Sequence, residues 1–333
     1  MIAEIGFAEG LGIQILKSLV IFAVVLQMVP VVLMADRKLM GRMQSRYGPN
    51  RVGPYGSMQP IADIFKLLSK EQFTPQSAVP WMMALAPMIS IITAIATIAI
   101  IPFGERGTWG GDVGLYGIDV SIGILYAFAF GALAFYGLML GGWASGSKYS
   151  FLGSMRAAAQ LISYEVAMAL ALVGVIMTAG TLSLVSIVEA QDGIWFVVPQ
   201  FVGFIIFLVA GFAETNRAPF DLPEAESELV QGYITEYGGG RFVTYFMAEY
   251  VNMVIISALV ATLFLGGWHG PGPEAIGPLW VLLKMFCILF LFVWVRATLP
   301  RLRYDQLMSL GWKVMLPLAT LNALVTAILV VTT

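Results

Sequence analysis

The chain has 333 residues, 59% of them hydrophobic and only 11% charged, with a formal net charge of −2. A soluble domain carries about a quarter charged residues, so this composition, with a mean hydropathy of +0.85, excludes a water-soluble globular fold and predicts an all-α polytopic membrane protein. The single cysteine, Cys287, excludes a disulfide framework and a cysteine-ligated iron–sulfur cluster.

In chain order, Glu4 and Glu9 precede the first apolar run with no basic leader region, which argues against a cleavable signal. Apolar stretches of span length, about twenty residues, fall at about 11–34, 80–101, 120–144, 157–179, 195–213, 242–265, 278–298 and 314–333. Every lysine and arginine except Lys17, Arg106 and Lys284 lies in an odd-numbered loop or at its edge. The positive-inside rule therefore predicts eight transmembrane helices with both termini on the outer, periplasmic side. Residues 1–333 read as one integral membrane domain with cytoplasmic loops at about 35–79, 145–156, 214–241 and 299–313.

Pro30, Pro87 and Pro317 interrupt spans one, two and eight, breaks that neighbouring helices repair. Gly137 and Gly141, followed by Ser145, have the small-residue spacing of close helix contact. Lys17 reads as a snorkelling residue. In the first loop, Gly41–Gly56 is rich in glycine and proline and predicts an ordered irregular segment. Pro60 then starts a helix with Ile61, Ile64, Phe65 and Leu68 on one face and Asp63, Lys66, Ser69 and Lys70 on the other, an amphipathic helix on the cytoplasmic membrane surface.

Glu165 lies nine residues into span four and Glu249 eight residues into span six, depths of about 13 and 12 Å. Intramembrane carboxylates are functional candidates by default, against the alternatives of a neutral inert group or a structural pair. Two carboxylates about 6 Å apart repel by about 3 kcal/mol at an effective dielectric near 20, which predicts that Glu165 and Glu249 titrate as a pair. Lys284 lies six residues into span seven, where snorkelling accounts for it equally well. His269, in Gly-Trp-His-Gly-Pro-Gly-Pro, reads as an exposed turn rather than a haem or metal ligand.

The fifth loop is the most unusual stretch. From Glu214 to Glu249 the acids Glu214, Asp221, Glu224, Glu226, Glu228, Glu236 and Glu249 face only Arg217 and Arg241. Pro219 and Pro223 stop span five, and Pro223 is placed to open a short helix on which Glu224 and Glu228 stack at i,i+4. A solvated acidic loop is the plain reading. Carboxylates at the membrane edge of both flanking spans favour a proton-carrying one.

The segments Gly56-Ser-Met-Gln-Pro-Ile-Ala-Asp-Ile-Phe-Lys-Leu-Leu-Ser-Lys-Glu71 and Pro219-Phe-Asp-Leu-Pro-Glu-Ala-Glu-Ser-Glu-Leu-Val-Gln-Gly232 resemble the two signatures of the H-type membrane subunit of NADH:quinone oxidoreductase, respiratory complex I, whose mitochondrial counterpart is its first mitochondrially encoded subunit. The eight-span pattern agrees over the whole chain. Asp36 stands where many members are expected to carry Glu. The resemblance implies a bacterial inner-membrane subunit of a proton-translocating enzyme, placed at the junction with the redox arm. There Arg37, Gln44, Arg46, Asp63 and Phe220 contribute to the quinone chamber, with ubiquinone as substrate. Glu214, Arg217, Asp221, Glu224, Glu226, Glu228, Glu165 and Glu249 form the carboxylate path that couples quinone reduction to proton movement. Flavin and iron–sulfur clusters belong to peripheral-arm partners, so the chain has no redox centre of its own. The other implied partners are membrane-arm subunits, antiporter-like ones included, and lipid, with no nucleic acid. Spans two to six resemble half of an antiporter-like subunit. Two further readings stay open here: the membrane subunit of a related hydrogenase- or formate-lyase-type complex, and an independent ion antiporter.

Overall fold

Helix ends in this chain follow its prolines and its polar cross-links more than its hydropathy. The computed structural model describes residues 7–105, 114–224 and 226–332; Glu4 and Arg106 lie outside them, as do the side chains of Glu9 and Glu226. The described residues form helices α1 (Phe7–Met43), α2 (Gln59–Leu68), α3 (Pro80–Ile98), α4 (Gly123–Ala144), α5 (Lys148–Ala179), α6 (Leu184–Glu189), α7 (Phe201–Glu214), α8 (Glu226–Leu229), α9 (Gly239–Leu263), α10 (Gly277–Thr298), α11 (Tyr304–Ser309) and α12 (Leu316–Thr332). A π-wound segment, Leu310–Met315, joins α11 to α12.

Among the described residues, seven helices are long and apolar enough to cross a membrane. The predicted span at 195–213 is helical only over the 14 residues of α7, about 21 Å against a hydrocarbon core of about 30 Å. The side chain of Gln191 holds the preceding residues in turns. Its Oε1 accepts from the backbone N–H of Phe196 at 3.2 Å and of Gly266 at 3.0 Å, and Val197 N–H bonds Phe264 O at 2.8 Å. Two other helices outrun their apolar stretches. α1 continues to Met43, so Asp36, Arg37 and Lys38 stand on a helix, and α5 begins at Lys148 rather than near 157.

The core sits around α9, whose Val251, Val254, Ala258, Val260 and Ala261 are fully buried. Around them pack Val25 of α1, Ala167, Ala171 and Val175 of α5, Phe207 and Ala210 of α7, and Val281 and Met285 of α10. α12 lies at the periphery, with Leu321, Leu324, Ile328 and Leu329 exposed. In lipid such burial stabilises through close packing rather than removal from water.

The two glycines of α4 serve different contacts. At Gly137 a Cβ would stand 2.9 Å from Ala86 O and 3.0 Å from Ser90 N, so α3 and α4 touch through their backbones. At Gly141 the side-chain space is taken by the hydroxyl of Tyr245, with that of Tyr237 3.2 Å away. Tyr245 donates to Gly137 O at 2.9 Å and Tyr237 to Gly141 O at 3.0 Å. The surface helix α2 turns Ile61, Phe65 and Leu68 outward while Pro60 is buried.

Candidate functional site

The end of α7 is tied to α5 by one buried amide. Gln160 Nε2 lies 2.8 Å from Ala213 O, 2.9 Å from Phe220 O and 3.3 Å from Asn216 Oδ1. Asn216 takes a left-handed conformation, φ 51°, which Asn tolerates because its short polar side chain bonds locally. Together these reverse the chain and carry Arg217 back beneath α9. The sequence offers one signal for Gln160, a lone amide in the small and apolar run Ala157-Ala-Ala-Gln-Leu-Ile162; its full burial is decided by the fold.

Arg217 Nε stands 2.7 Å from Glu249 Oε1, and each side chain is nearly inaccessible. The contact is an ion pair off hydrogen-bond alignment, and the buried Nε and Nη2 have no aligned acceptor. The guanidinium lies over the Tyr250 ring, 4.3 Å from its centroid. Burial opposes its charge, but Glu249, then Tyr250, Glu224 and Asp36, outweigh burial and hold Arg217 protonated. Next to it, Arg296 Nη1 donates to Asp36 Oδ2 at 2.8 Å, and Tyr250 donates to the same oxygen at 3.4 Å.

The loop acids divide into inner and outer sets. Burial pushes the Asp221 carboxyl up to about 6; nearby Glu249 adds to this, while Arg301, Arg217 and Arg296 oppose it. Burial likewise raises Glu224 well above the usual carboxylate range, with Glu249 and Asp221 reinforcing the shift. Glu228 faces outward and pairs with Arg156 at 2.5 Å, a hydrogen bond that lowers it. The predicted i,i+4 stack of Glu224 and Glu228 does not form. α8 begins only at Glu226, because the chain returns at Gly232, φ 56°, directly against the Pro223 carbonyl. Phe220 is core: its ring packs edge-on against Tyr164 at 5.6 Å.

Two small cavities with shared lining residues lie within the bundle. One, of about 50 Å³, is lined by Glu165, Glu214, Asn252, Thr93 and Thr97. The other, of about 40 Å³, is lined by Glu214, Glu249, Asn252, Asn216, Tyr233 and Tyr245. Glu214 and Asn252 belong to both. Glu165 and Glu249, expected from the sequence to sit at matching depth, line different cavities and are not direct partners: Glu249 meets Arg217, and Glu165 shares its cavity with Glu214.

A larger cavity of about 520 Å³ opens between α1, α2 and α9. Leu26, Val29, Leu33, Phe242 and Phe246 give it apolar walls, and Arg37, Asp63, Lys66 and Lys70 gather at its polar side. Arg37 is ion-paired with Asp63, which also accepts from Gln59 Nε2 at 2.8 Å. Gln44 and Arg46 are exposed, bonded to each other at 2.9 Å, and are not among the residues lining it. Elsewhere, Lys284 is buried rather than snorkelling. It donates to Gly267 O at 2.7 Å and His269 O at 2.6 Å and lies over the Trp195 ring. His269 is half-buried, its Nε2 2.9 Å from Val188 O.

A sequence profile for the family described as NADH dehydrogenase matches residues 16–327. A protein of Geobacter metallireducens, named as H-type subunit 1 of NADH-quinone oxidoreductase, is 51% identical over 320 residues, 96% of this chain and 97% of its own length. The chain belongs to the H-subunit family of NADH-quinone oxidoreductase. Further H-type relatives come from Geobacter sulfurreducens, 50% identical over 96% of this chain and 97% of its own, and from Syntrophotalea carbinolica, 51% identical over 94% of each. The two segments that resemble the family's signatures flank the start of α9. The end of the first packs there, with Lys70 O 3.0 Å from where a Gly239 Cβ would stand, and Arg241 bonds Thr74 at 3.1 Å.

Proposed function

We propose that the chain is the membrane subunit of a bacterial, proton-translocating NADH:quinone oxidoreductase. In this reading it crosses the inner membrane eight times with both termini outside, α7 and the turns before it making the short fifth crossing. The observation that carries the reading is that Glu214 lines both small cavities, the one that Glu165 lines and the one that Glu249, paired with Arg217, lines. The cavity beneath α2 is the access site for quinone: its aliphatic and aromatic walls suit an isoprenoid tail, and Arg37 and Asp63 offer a donor and an acceptor to a headgroup. Ubiquinone is the substrate. Flavin and iron–sulfur clusters stay in peripheral-arm partners, and antiporter-like membrane-arm subunits complete the pump.

Reducing a quinone takes two electrons from the redox arm and two protons, and the electrons transiently add negative charge near the fifth loop before the protons neutralise it. Asp221, with its carboxyl at about 6, changes protonation close to neutral pH, where an acid–base group is most effective. Glu224 and, further out, the Glu228–Arg156 pair set the local field. Arg217, shared electrostatically by Glu249, Glu224 and Asp36, redistributes its pairing as that field changes. Glu214 passes the change, and a proton, into the bundle toward Glu165. The hydrogenase-type alternative would use the same spans without a quinone, and the quinone-linked names of the relatives weigh against it.

Replacing Glu214 by Gln keeps shape and hydrogen bonding and removes the ionisable group. In assembled enzyme in sealed vesicles, E214Q should lower quinone reduction and proton pumping while oxidation of NADH by a water-soluble acceptor persists. Full pumping in E214Q removes Glu214 from the path.

A further inference from the structure

Leu310–Met315 is the only π-wound segment among the described residues, with Leu316 N–H reaching back to Gly311 O. The cause is readable in the sequence. Pro317 has no N–H to offer, and in an α-helix its ring would meet the carbonyl four residues back, that of Lys313. Widening the turn relieves that clash. π-bulges are rare and concentrate at functional sites.

The consequence appears on α5. Trp312, half exposed, donates its indole N–H to Ser163 Oγ at 3.1 Å. Ser163 is buried and donates its own O–H to Ala159 O at 2.6 Å. One turn earlier, Leu307 O accepts from the fully buried Tyr164 hydroxyl at 2.8 Å. Gly311 leaves room for the Tyr164 ring, which comes within 3.5 Å of where a Cβ would stand. Two consecutive residues of α5 are thus fixed from behind, and the next residue is Glu165. Successive side chains on an α-helix are about 100° apart, so Glu165 points away from Ser163, toward the cavity it shares with Glu214.

We propose that the π segment is a seat that sets the rotation of α5 and so aims the Glu165 carboxylate, with Trp312 and Tyr164 as positioning residues. This rests on the reading that Glu165 belongs to the proton path. Without the two hydrogen bonds, α5 turns about its axis and Glu165 leaves the cavity it shares with Glu214.

The test uses assembled enzyme in sealed vesicles and reads protons pumped per NADH oxidised, with artificial-acceptor activity reporting assembly. Y164F keeps the ring and removes one donor; W312F keeps an aromatic, smaller side chain and removes the other. Each should lower the ratio about two- to five-fold, the scale of one hydrogen bond. E165Q should lower it as well, and W312F added to E165Q should change nothing further, because both act through one group. An unchanged ratio in W312F and Y164F beside an impaired E165Q overturns the seat alone. So does a W312F loss that persists in full on E165Q, or failure of both single variants to assemble. Full pumping by E165Q overturns the carboxylate path beneath it.

Discussion

Removing Arg217 while leaving Glu249 tests the electrostatics of the site most directly. In R217M the side chain stays flexible and unbranched but is shorter, and it loses its charge. With Nε 2.7 Å from Glu249 Oε1, the charge centres are about 4 Å apart, and their attraction at an effective dielectric near 20 is about 4 kcal/mol. The cation–π contact with Tyr250 contributes about 1 kcal/mol more. A carboxylate left alone in such a buried place costs about 3–5 kcal/mol, so R217M should melt well below the wild type or fail to assemble. R217M/E249Q removes the pair as a unit, leaves no stranded charge, and should recover most of that loss without restoring proton pumping. The assay is thermal melting of the detergent-solubilised complex together with native-gel assembly. An R217M complex as stable as wild type, or a double variant no more stable than the single one, would refute the argument.

Two further outcomes follow from the same geometry. R37A should lower quinone reduction about five-fold, the scale of a partly exposed charged pair, while artificial-acceptor activity persists; equal loss of both would mean failed assembly. The Asp221 carboxyl, at about 6 when folded against about 4 when unfolded, is penalised in its charged form, so its cost is absent below pH 4 and complete above pH 6. D221N removes that cost and should gain stability relative to wild type as pH rises, by about 1 kcal/mol more at pH 8 than at pH 5; a pH-independent difference in melting temperature would contradict the assignment.

Elements whose cause is local could be read directly from the sequence. Pro60 and the apolar spacing of Ile61, Ile64, Phe65 and Leu68 place α2, because a proline start and a helical period need no distant partner. The apolar runs likewise mark the long helices, and with them the helices that carry Glu165 and Glu249. The short α7 could not be read, since a hydrophobic stretch does not reveal that Gln191, by accepting from Phe196 and Gly266, holds its first residues in turns. Nor could the partners of the two carboxylates: position along a helix is a property of sequence, but rotation is set by neighbours, and those neighbours give Glu249 to Arg217 and Glu165 to the Glu214 cavity. The sorting of the acidic loop is the same case. Glu228 and Glu224 look alike in sequence, and only the fold back at Gly232 and the position of Arg156 put one outside and the other within. Pro317 announces a break by itself; that the break is relieved by a π turn facing Ser163 and Tyr164 is decided by what packs beside it.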